Sequence, residues 1–356
     1  MNNKRALNIV IVKMLGFNLF KFICIFLIWA TSFCNIYAQD PVFSQFYAAP
    51  LEVNPAFAGL GRSPRIGINY RNQWPFIEQQ FKSYTTYLLS YDQYFKTFKS
   101  GLGFTLLADD AGDGLIKTIK SNVIYSYRVP LTKKGHYIKG GVELGLVNIN
   151  YNWDKFTFGD QLDPEFGLIT GGGVPIISKE IRPAKTNLNY FDAGVGMMYY
   201  SPTFYIGVAT KHINSPKIGI LTSNSDGYNG LPLRFTVHSG FEWRIDKRLG
   251  KYKKILSPGV ILTKQAQFFQ VNLGTQYQFS TVFAGIWYRI ARHNGDAVIG
   301  TLGFRKDFWK LTYSFDYTTS SLGIGLGGSH ELSLLFNFES VTKEKKNISD
   351  CFDAFR

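Results

Sequence analysis

The sequence predicts an all-β chain: a transmembrane antiparallel β-barrel of about fourteen strands with a hatch-like N-terminal segment in its lumen. Three observations predict it. Segments of about ten residues recur in which apolar side chains alternate strictly with small or polar ones, the period-two signature of a strand with two different surroundings. The 356 residues are 16% aromatic and include 35 glycines and 21 tyrosines, which suits a large sheet with aromatic borders. Mean hydropathy is only −0.06, and the longest apolar run, Phe22–Ala30, is far short of the roughly 20 residues a spanning helix needs.

That run has its own reading. Lys4, Arg5, Lys13 and Lys21 precede it and Ile36-Tyr37-Ala38 follows, the order of a secretory signal cut before Gln39. Residues 1–38 are therefore expected to be a cleaved signal peptide. Cleavage would remove Cys24 and Cys34 and leave Cys351, so the mature chain forms no internal disulfide. A formal net charge of +14 would suit nucleic acid, but export excludes that partner.

Residues 39–64 come next. Pro41, Pro50 and Pro55 stand too close for regular structure, while apolar residues are too frequent for a solvated tail. Gln39–Gly61 is expected to pack inside something, as a periplasmic or lumenal segment.

The barrel is expected over 65–339. Its first strand, Arg65–Trp74, sets Ile66, Ile68 and Tyr70 on one face and Arg65, Gly67, Asn69 and Arg71 on the other. Arginines toward lipid are costly, so the second face looks into the lumen. Similar segments follow at Phe81–Asp92, Gly101–Asp109, Ile116–Val129, Tyr137–Tyr151, Tyr190–Tyr200, Phe204–Ile213, Leu233–Ile245, Ser257–Lys264, Gln267–Phe279, Thr281–Ala291, Asp296–Lys306, Trp309–Thr319 and Ser329–Glu339. The clearest hairpin is Tyr190–Ile213, where Phe191, Ala193, Val195 and Met197 oppose Asp192, Gly194, Gly196 and Met198 on either side of the strand. Of thirteen prolines, Pro258 alone falls within a segment, at its start, as the missing amide hydrogen requires.

With a periplasmic N-terminus, the odd connections face outward and are mostly long: Asn72–Gln80, Asp110–Leu115, Asn152–Asn189, Asn214–Pro232, a short one near Gln265, His293–Gly295 and Thr319–Gly328. The even ones, such as Ser201–Thr203 and Ser280, are brief periplasmic turns. Charge sorts likewise. Lys96, Lys99, Lys133, Lys134, Lys247, Arg248, Lys251, Lys253, Lys254, Arg305 and Lys306 gather at the turns, and Asp110, Asp113, Asp160, Asp163, Glu165 and Asp226 in the loops. The basic rim either recruits an acidic partner or is simply a solvated barrel end.

Glycines recur on the inward face at Gly67, Gly101, Gly103, Gly141, Gly145, Gly194, Gly196 and Gly207. Glycine weakens a strand unless another backbone approaches closely, so a lumen partly filled by Asp40–Gly61 is expected, and an unselective porin is not.

Catalysis finds little footing, and neither enzyme activity nor a cofactor or metal is expected. His136, His212, His238, His293 and His330 are scattered, with no HExxH, CxxC or GxSxG. Ser329-His330-Glu331 is the nearest Ser-His pairing, and a strand-end hydrogen-bonding role is preferred for it. Gly323–Gly328 fits GxGxxG literally, but a strand rather than a helix follows, so an outer loop is the better reading. Asp109–Gly114 lacks the distal glutamate of a calcium loop, and Asn347-Ile348-Ser349 matches a glycosylation acceptor by pattern only. The last strand, SHELSLLFNF, resembles the carboxy-terminal assembly signal of outer-membrane barrels, and the polar tail 340–356 is expected in the periplasm.

Taken together, DPVFSQFYAAPLEVNPAFAGL (Asp40–Leu60), INYRNQW (Ile68–Trp74), FGDQLDPEFG (Phe158–Gly167), FDAGVGMMYYSPTFYIGVATKHINSP (Phe191–Pro216), AGIWYR (Ala284–Arg289) and the closing strand resemble the PorP/SprF family of type IX secretion system membrane proteins. The resemblance implies a non-enzymatic outer-membrane component that supports secretion or surface attachment of adhesin-type cargo, tied to gliding motility in gliding bacteria. Its implied partners are type IX secretion machinery subunits on the periplasmic side, an exported surface protein outside, and outer-membrane lipid. The strand number and Asn54-Pro55-Ala56 also look like the FadL class, whose amino terminus folds into the lumen as a hatch. That makes a passive transporter of a hydrophobic small molecule the alternative. On these resemblances, hatch or partner-binding positions fall at Asn54, Pro55, Ala56, Gly59, Arg71, Gln73, Trp74, Asp160, Gln161, His330 and Glu331.

Overall fold

The computed structural model describes residues 40–61, 63–76, 84–169, 173–218, 230–245, 254–291, 297–319, 324–338 and 351–355. The leader 1–38 with Cys24 and Cys34, the strand start at Phe81, and Asp226, Lys247, Arg248, Lys251, Lys253, His293, Gly323 and Asn347–Ser349 lie outside them.

Among the described residues the chain forms fifteen strand segments in one antiparallel sheet. They are β1 (Arg65–Gln73), β2 (Tyr84–Phe95), β3 (Ser100–Ala111), β4 (Ile116–Pro130), β5 (Tyr137–Tyr151), β6 (Asn187–Tyr200), β7 (Phe204–Lys211), β8 (Arg234–Phe241), β9 (Trp243–Arg244), β10 (Lys254–Gln265), β11 (Phe268–Phe279), β12 (Val282–Ala291), β13 (Ala297–Lys306), β14 (Trp309–Thr318) and β15 (Ser329–Asn337). β1 pairs with both β2 and β15, so the sheet closes on itself and has no free edge. β8 and β9 are halves of one strand, which makes a barrel of fourteen.

The break between those halves corrects one expectation. Pro258 lies inside β10 rather than at its start. On one side it stands opposite Thr275 of β11; on the other, the ladder lapses between Gly259↔Gly240 and Leu256↔Trp243. The register is the same on both sides of the gap, so nothing bulges. Proline has no amide hydrogen to give, and the ladder to β10 skips Phe241 and Glu242 opposite it.

Alternation sorts the two faces as the sequence predicts. On β6, Phe191, Val195 and Met197 are exposed on the outer face while Asp192 and Met198 are buried inside. On β1, Ile68 faces out and Arg65, Asn69 and Arg71 face in. No helix among the described residues is long and apolar enough to cross a membrane. Tight hairpins join the later strands, with Ala266, Ser280 and Asp307 at positive φ, as the right-handed twist of paired strands requires of so short a turn.

The core is not the barrel wall but what the wall surrounds. Asp40–Gly61 touches β1, β3, β4, β5, β6, β7, β8, β14 and β15 from within. It runs along the lumen from the loop end, where Asp40 meets His212, Arg234 and Gln265, to the turn end, where Gly59 meets Asp92. Gly141 shows why the inward glycines are needed. A Cβ there would stand 2.5 Å from the Ala56 amide nitrogen, closer than any side chain tolerates. At Gly101 it would collide with the Ala58 carbonyl.

Candidate functional site

Four anchors hold the lumen segment, and each pairs polar groups of the segment with polar groups of the wall. At Asn54 the sequence Asn-Pro-Ala does two jobs. Its Oδ1 accepts from the Ala56 amide at 2.9 Å, capping the short turn Pro55–Phe57 that Pro55 begins. Its Nδ2 donates to the carbonyls of Met197 (3.2 Å) and Val208 (3.1 Å) and stands 2.9 Å from His238 Nε2. One side chain thus caps the start of a turn and fastens it to β6, β7 and β8.

The second anchor is a buried charge cluster toward the loop end. Glu331 accepts the successive amides of Ser44 (2.8 Å) and Gln45 (3.0 Å), donors that no strand ladder satisfies. Arg71 lies 3.2 Å from Glu331 and 3.4 Å from Asp316, and Arg289 lies 2.8 Å from Asp316. Ser44 Oγ donates to Asp316, and Gln45 Nε2 donates to Ser314 Oγ at 3.0 Å. Two arginines against two carboxylates leave no net charge, the condition under which so many buried ions are tolerated.

Asp40 is the third anchor. Its carboxylate meets His212 Nε2 at 2.8 Å and Arg234 at 3.2 Å, while His212 Nδ1 meets Asp192 at 2.9 Å and Lys120 meets Asp192 at 3.1 Å. Burial opposes the charge on Asp40, but His212, Lys120 and Arg234 outweigh it and hold the carboxyl well below the usual range. Burial likewise opposes the His212 cation, and the two aspartates overcome it, raising its pKa. Nearby, Lys211 bridges Glu52 of the segment (3.2 Å) and Glu143 of the wall (3.1 Å).

At the turn end the fourth anchor binds residues 58–59. Asp92 accepts the Gly59 amide at 2.8 Å and is fixed by Arg65, also at 2.8 Å. The Ala58 carbonyl accepts from Ser126 Oγ at 2.7 Å and from Lys139. Between the anchors, Phe46 packs edge-on against Trp287 with ring centres 5.1 Å apart.

Of the positions singled out in sequence, Asn54, Pro55, Ala56, Gly59, Arg71 and Glu331 come together in the lumen, and Gln73 Oε1 lies 3.5 Å from Arg71. The remaining four stand elsewhere. Trp74, at φ 56°, donates its amide to Gly328 at 2.7 Å. His330 sits on the outer face, 2.8 Å from Tyr313 Oη, whereas Ser329 faces inward to Arg71. Neighbours on a strand point to opposite sides, so Ser329 and His330 form no pair.

Asp160 and Gln161 lie in the connection between β5 and β6. Asp160 accepts the Lys179 amide at 2.6 Å and the Ser178 hydroxyl at 2.9 Å, and these two hold its carboxyl below the usual range. Gln161 Nε2 donates to the Ile176 carbonyl at 3.0 Å. These bonds pin a stretch on which Ile177 and Ile181 are 87% and 84% exposed. At the connection between β3 and β4, Asp110 and Asp113 each pair with a lysine, Lys117 and Lys155.

The model of the type IX secretion system membrane protein PorP/SprF matches residues 35–336, most of the chain and nearly all of the barrel just described. The chain belongs to the PorP/SprF family. Its barrel, apolar on the outside, fits the outer-membrane location of a secretion-system membrane protein. No curated protein matches this PorP/SprF chain in sequence. Among solved structures, the KdgM porin in complex with disordered oligogalacturonate is similar at 8% identity and TM-score 0.37, with 77% of this chain and 99% of that one covered. A mutant of Rh. blastica porin is similar at 8% identity and TM-score 0.33, with the same coverage. A mutant ferric enterobactin receptor of Pseudomonas aeruginosa is similar at 9% identity and TM-score 0.32, over 73% of this chain and 45% of that one.

Sequence reasoning passed over Asp40, Ser44, Gln45, His212, Arg289 and Asp316 in the PorP/SprF lumen. The signal was there in part: Lys120, Lys139, Glu143 and Asp192 are charged residues at inward positions of otherwise apolar strands. Such charges need partners, and in a barrel only a lumen segment or water supplies them.

The last described residues also differ from expectation. The tail 340–356 reads as polar, yet Cys351, Phe352 and Phe355 are buried at the turn end of the lumen. Arg65 donates to the Phe355 carbonyl at 3.0 Å.

Proposed function

We propose that the barrel is a non-enzymatic docking component of type IX secretion. It supports the secretion or surface attachment of an exported adhesin-type protein held at its loop end, and meets machinery subunits at its turn end. The observation that carries this reading is the connection between β5 and β6. Large aliphatic side chains held in water by a pinned loop are unfavourable unless a partner covers them, and Ile177 and Ile181 are such a pair. At the other end Lys99, Lys133, Lys134 and Lys306 are exposed, which suits an acidic partner whose binding weakens with salt.

With the turns in the periplasm, the chain enters β1 from that side, and Asp40 stands at the outer mouth. The periplasmic position expected for the N-terminal segment then holds for its Gly61 end. Asp40–Gly61 acts as a hatch across the lumen, and its four anchors favour docking over passage of a hydrophobic small molecule. Gliding motility is the setting in which such a platform would be used in a gliding bacterium.

The test is an affinity pull-down of the tagged protein from gently solubilised outer membranes, with partners identified by mass spectrometry. Machinery subunits and a large surface protein should be recovered, and Ile177→Asp with Ile181→Asp should remove the surface protein alone. Recovery of the barrel by itself with a lipid-like ligand would refute docking and favour transport.

A further inference from the structure

Phe352 and Phe355 insert between three rings of the lumen. Phe352 meets Tyr200 and Tyr205 with ring centres 5.0 and 5.4 Å apart, and Phe355 stacks on Phe57 at 4.9 Å. The backbone around them is held by isolated side chains of the wall. Arg65 donates to the Phe355 carbonyl, Lys310 donates to that of Ala354, and Glu242 accepts the Ala354 amide at 3.3 Å. Among the described residues, this segment joins no strand ladder; its backbone bond from the Phe355 amide to the Phe352 carbonyl, 3.0 Å, closes a turn of its own.

We propose that the socket of Phe57, Tyr200 and Tyr205 is a peptide-binding site. Its resident ligand is the chain's own segment Cys351–Phe355, and it accepts in exchange a partner's peptide with two aromatic side chains three residues apart. Each of these contacts is one a separate peptide of the same sequence would make: two rings in an aromatic socket, two carbonyls on cations, one amide on a carboxylate. A segment knitted into the sheet would have no such equivalent. The fit also leaves room, because a cavity of about 20 Å³ beside it is lined by Phe46, Trp287, Cys351 and Phe355 among others. Residues 339–350 tether the resident ligand to β15, so a competing peptide works against a high effective concentration and gains most when it arrives on a protein already docked.

The test uses the full-length protein in detergent and a dye-labelled peptide of residues 350–356 with serine in place of the cysteine. Phe352→Ala with Phe355→Ala vacates the socket, and fluorescence polarisation should then show the peptide binding at least tenfold tighter than to the unaltered protein. In the unaltered protein, excess peptide should raise maleimide labelling of Cys351, located by mass spectrometry, at least tenfold. Absence of binding to a vacated barrel that still migrates as folded on a heat-modifiability gel overturns the proposal. So does Cys351 labelling that saturating peptide leaves unchanged, a result that decides the matter even where the double variant fails to fold.

Discussion

His212 stands 2.8 Å from Asp40 and joins the start of the lumen segment to the barrel wall through an imidazole whose other nitrogen is held by Asp192. This is the contact in the segment that responds to pH in opposite directions from its two sides. The His212 pKa is raised, so the stabilisation it gives is complete below the ordinary histidine range and is lost as pH rises through the raised value. The Asp40 pKa is lowered, so its share is complete above the ordinary carboxylate range and is lost as pH falls through the lowered value. Hydrogen exchange of residues 40–47 should therefore be slowest between those limits and accelerate on both sides. Asp40→Asn should abolish the dependence at both limits, and an unchanged profile in that variant would rule out the pair as its source.

Gly141→Val should force the segment away from β5, since a side chain there meets the backbone of Pro55 and Ala56. The expected loss is about 1–3 kcal/mol in urea unfolding, with faster proteolysis between residues 40 and 61. Gly140→Val is the control: a Cβ at the neighbouring outer position meets nothing within 4 Å, and stability should be unchanged.

Arg71→Met should be costly, at about 3–5 kcal/mol, because it leaves Asp316 and Glu331 short of a buried cation. The loss is measured by denaturant unfolding. A smaller effect, below about 1 kcal/mol, would mean that Arg289 alone neutralises the cluster.

Asp160→Ala should release the stretch bearing Ile177 and Ile181, since it removes the acceptor for the Lys179 amide and the Ser178 hydroxyl. Limited proteolysis should cut residues 173–185 faster and the pull-down should lose the exported protein, while the melting temperature of the barrel stays the same.

Much of this was legible in the sequence because a strand writes its two environments residue by residue. The alternation on β6 gives its inward and outward sides directly, and the glycines at 101 and 141 announce that something comes close. Partner identity is not written that way. Glu331 and the amide of Ser44 are 287 positions apart, and nothing local to either names the other. A missing amide hydrogen points to the start of a strand for Pro258, yet within β10 it interrupts only one of two ladders. Phe352 and Phe355 were hidden by averaging, two rings in a stretch dominated by Lys343, Lys345, Lys346 and Asp350.

The pairing of β1 with β15 carries a consequence for how the molecule comes into being. The first strand waits for the last, and a contact spanning so much chain is slow to form because the intervening loop must be closed before it gives anything back. Until β15 arrives, Ser44, Gln45 and Arg71 lack the Glu331 carboxylate, and two sheet edges stand open. Maturation is thus all-or-nothing at one seam, and a chain stalled short of it carries stranded donors and raw strand edges that a protease or chaperone can read as unfinished.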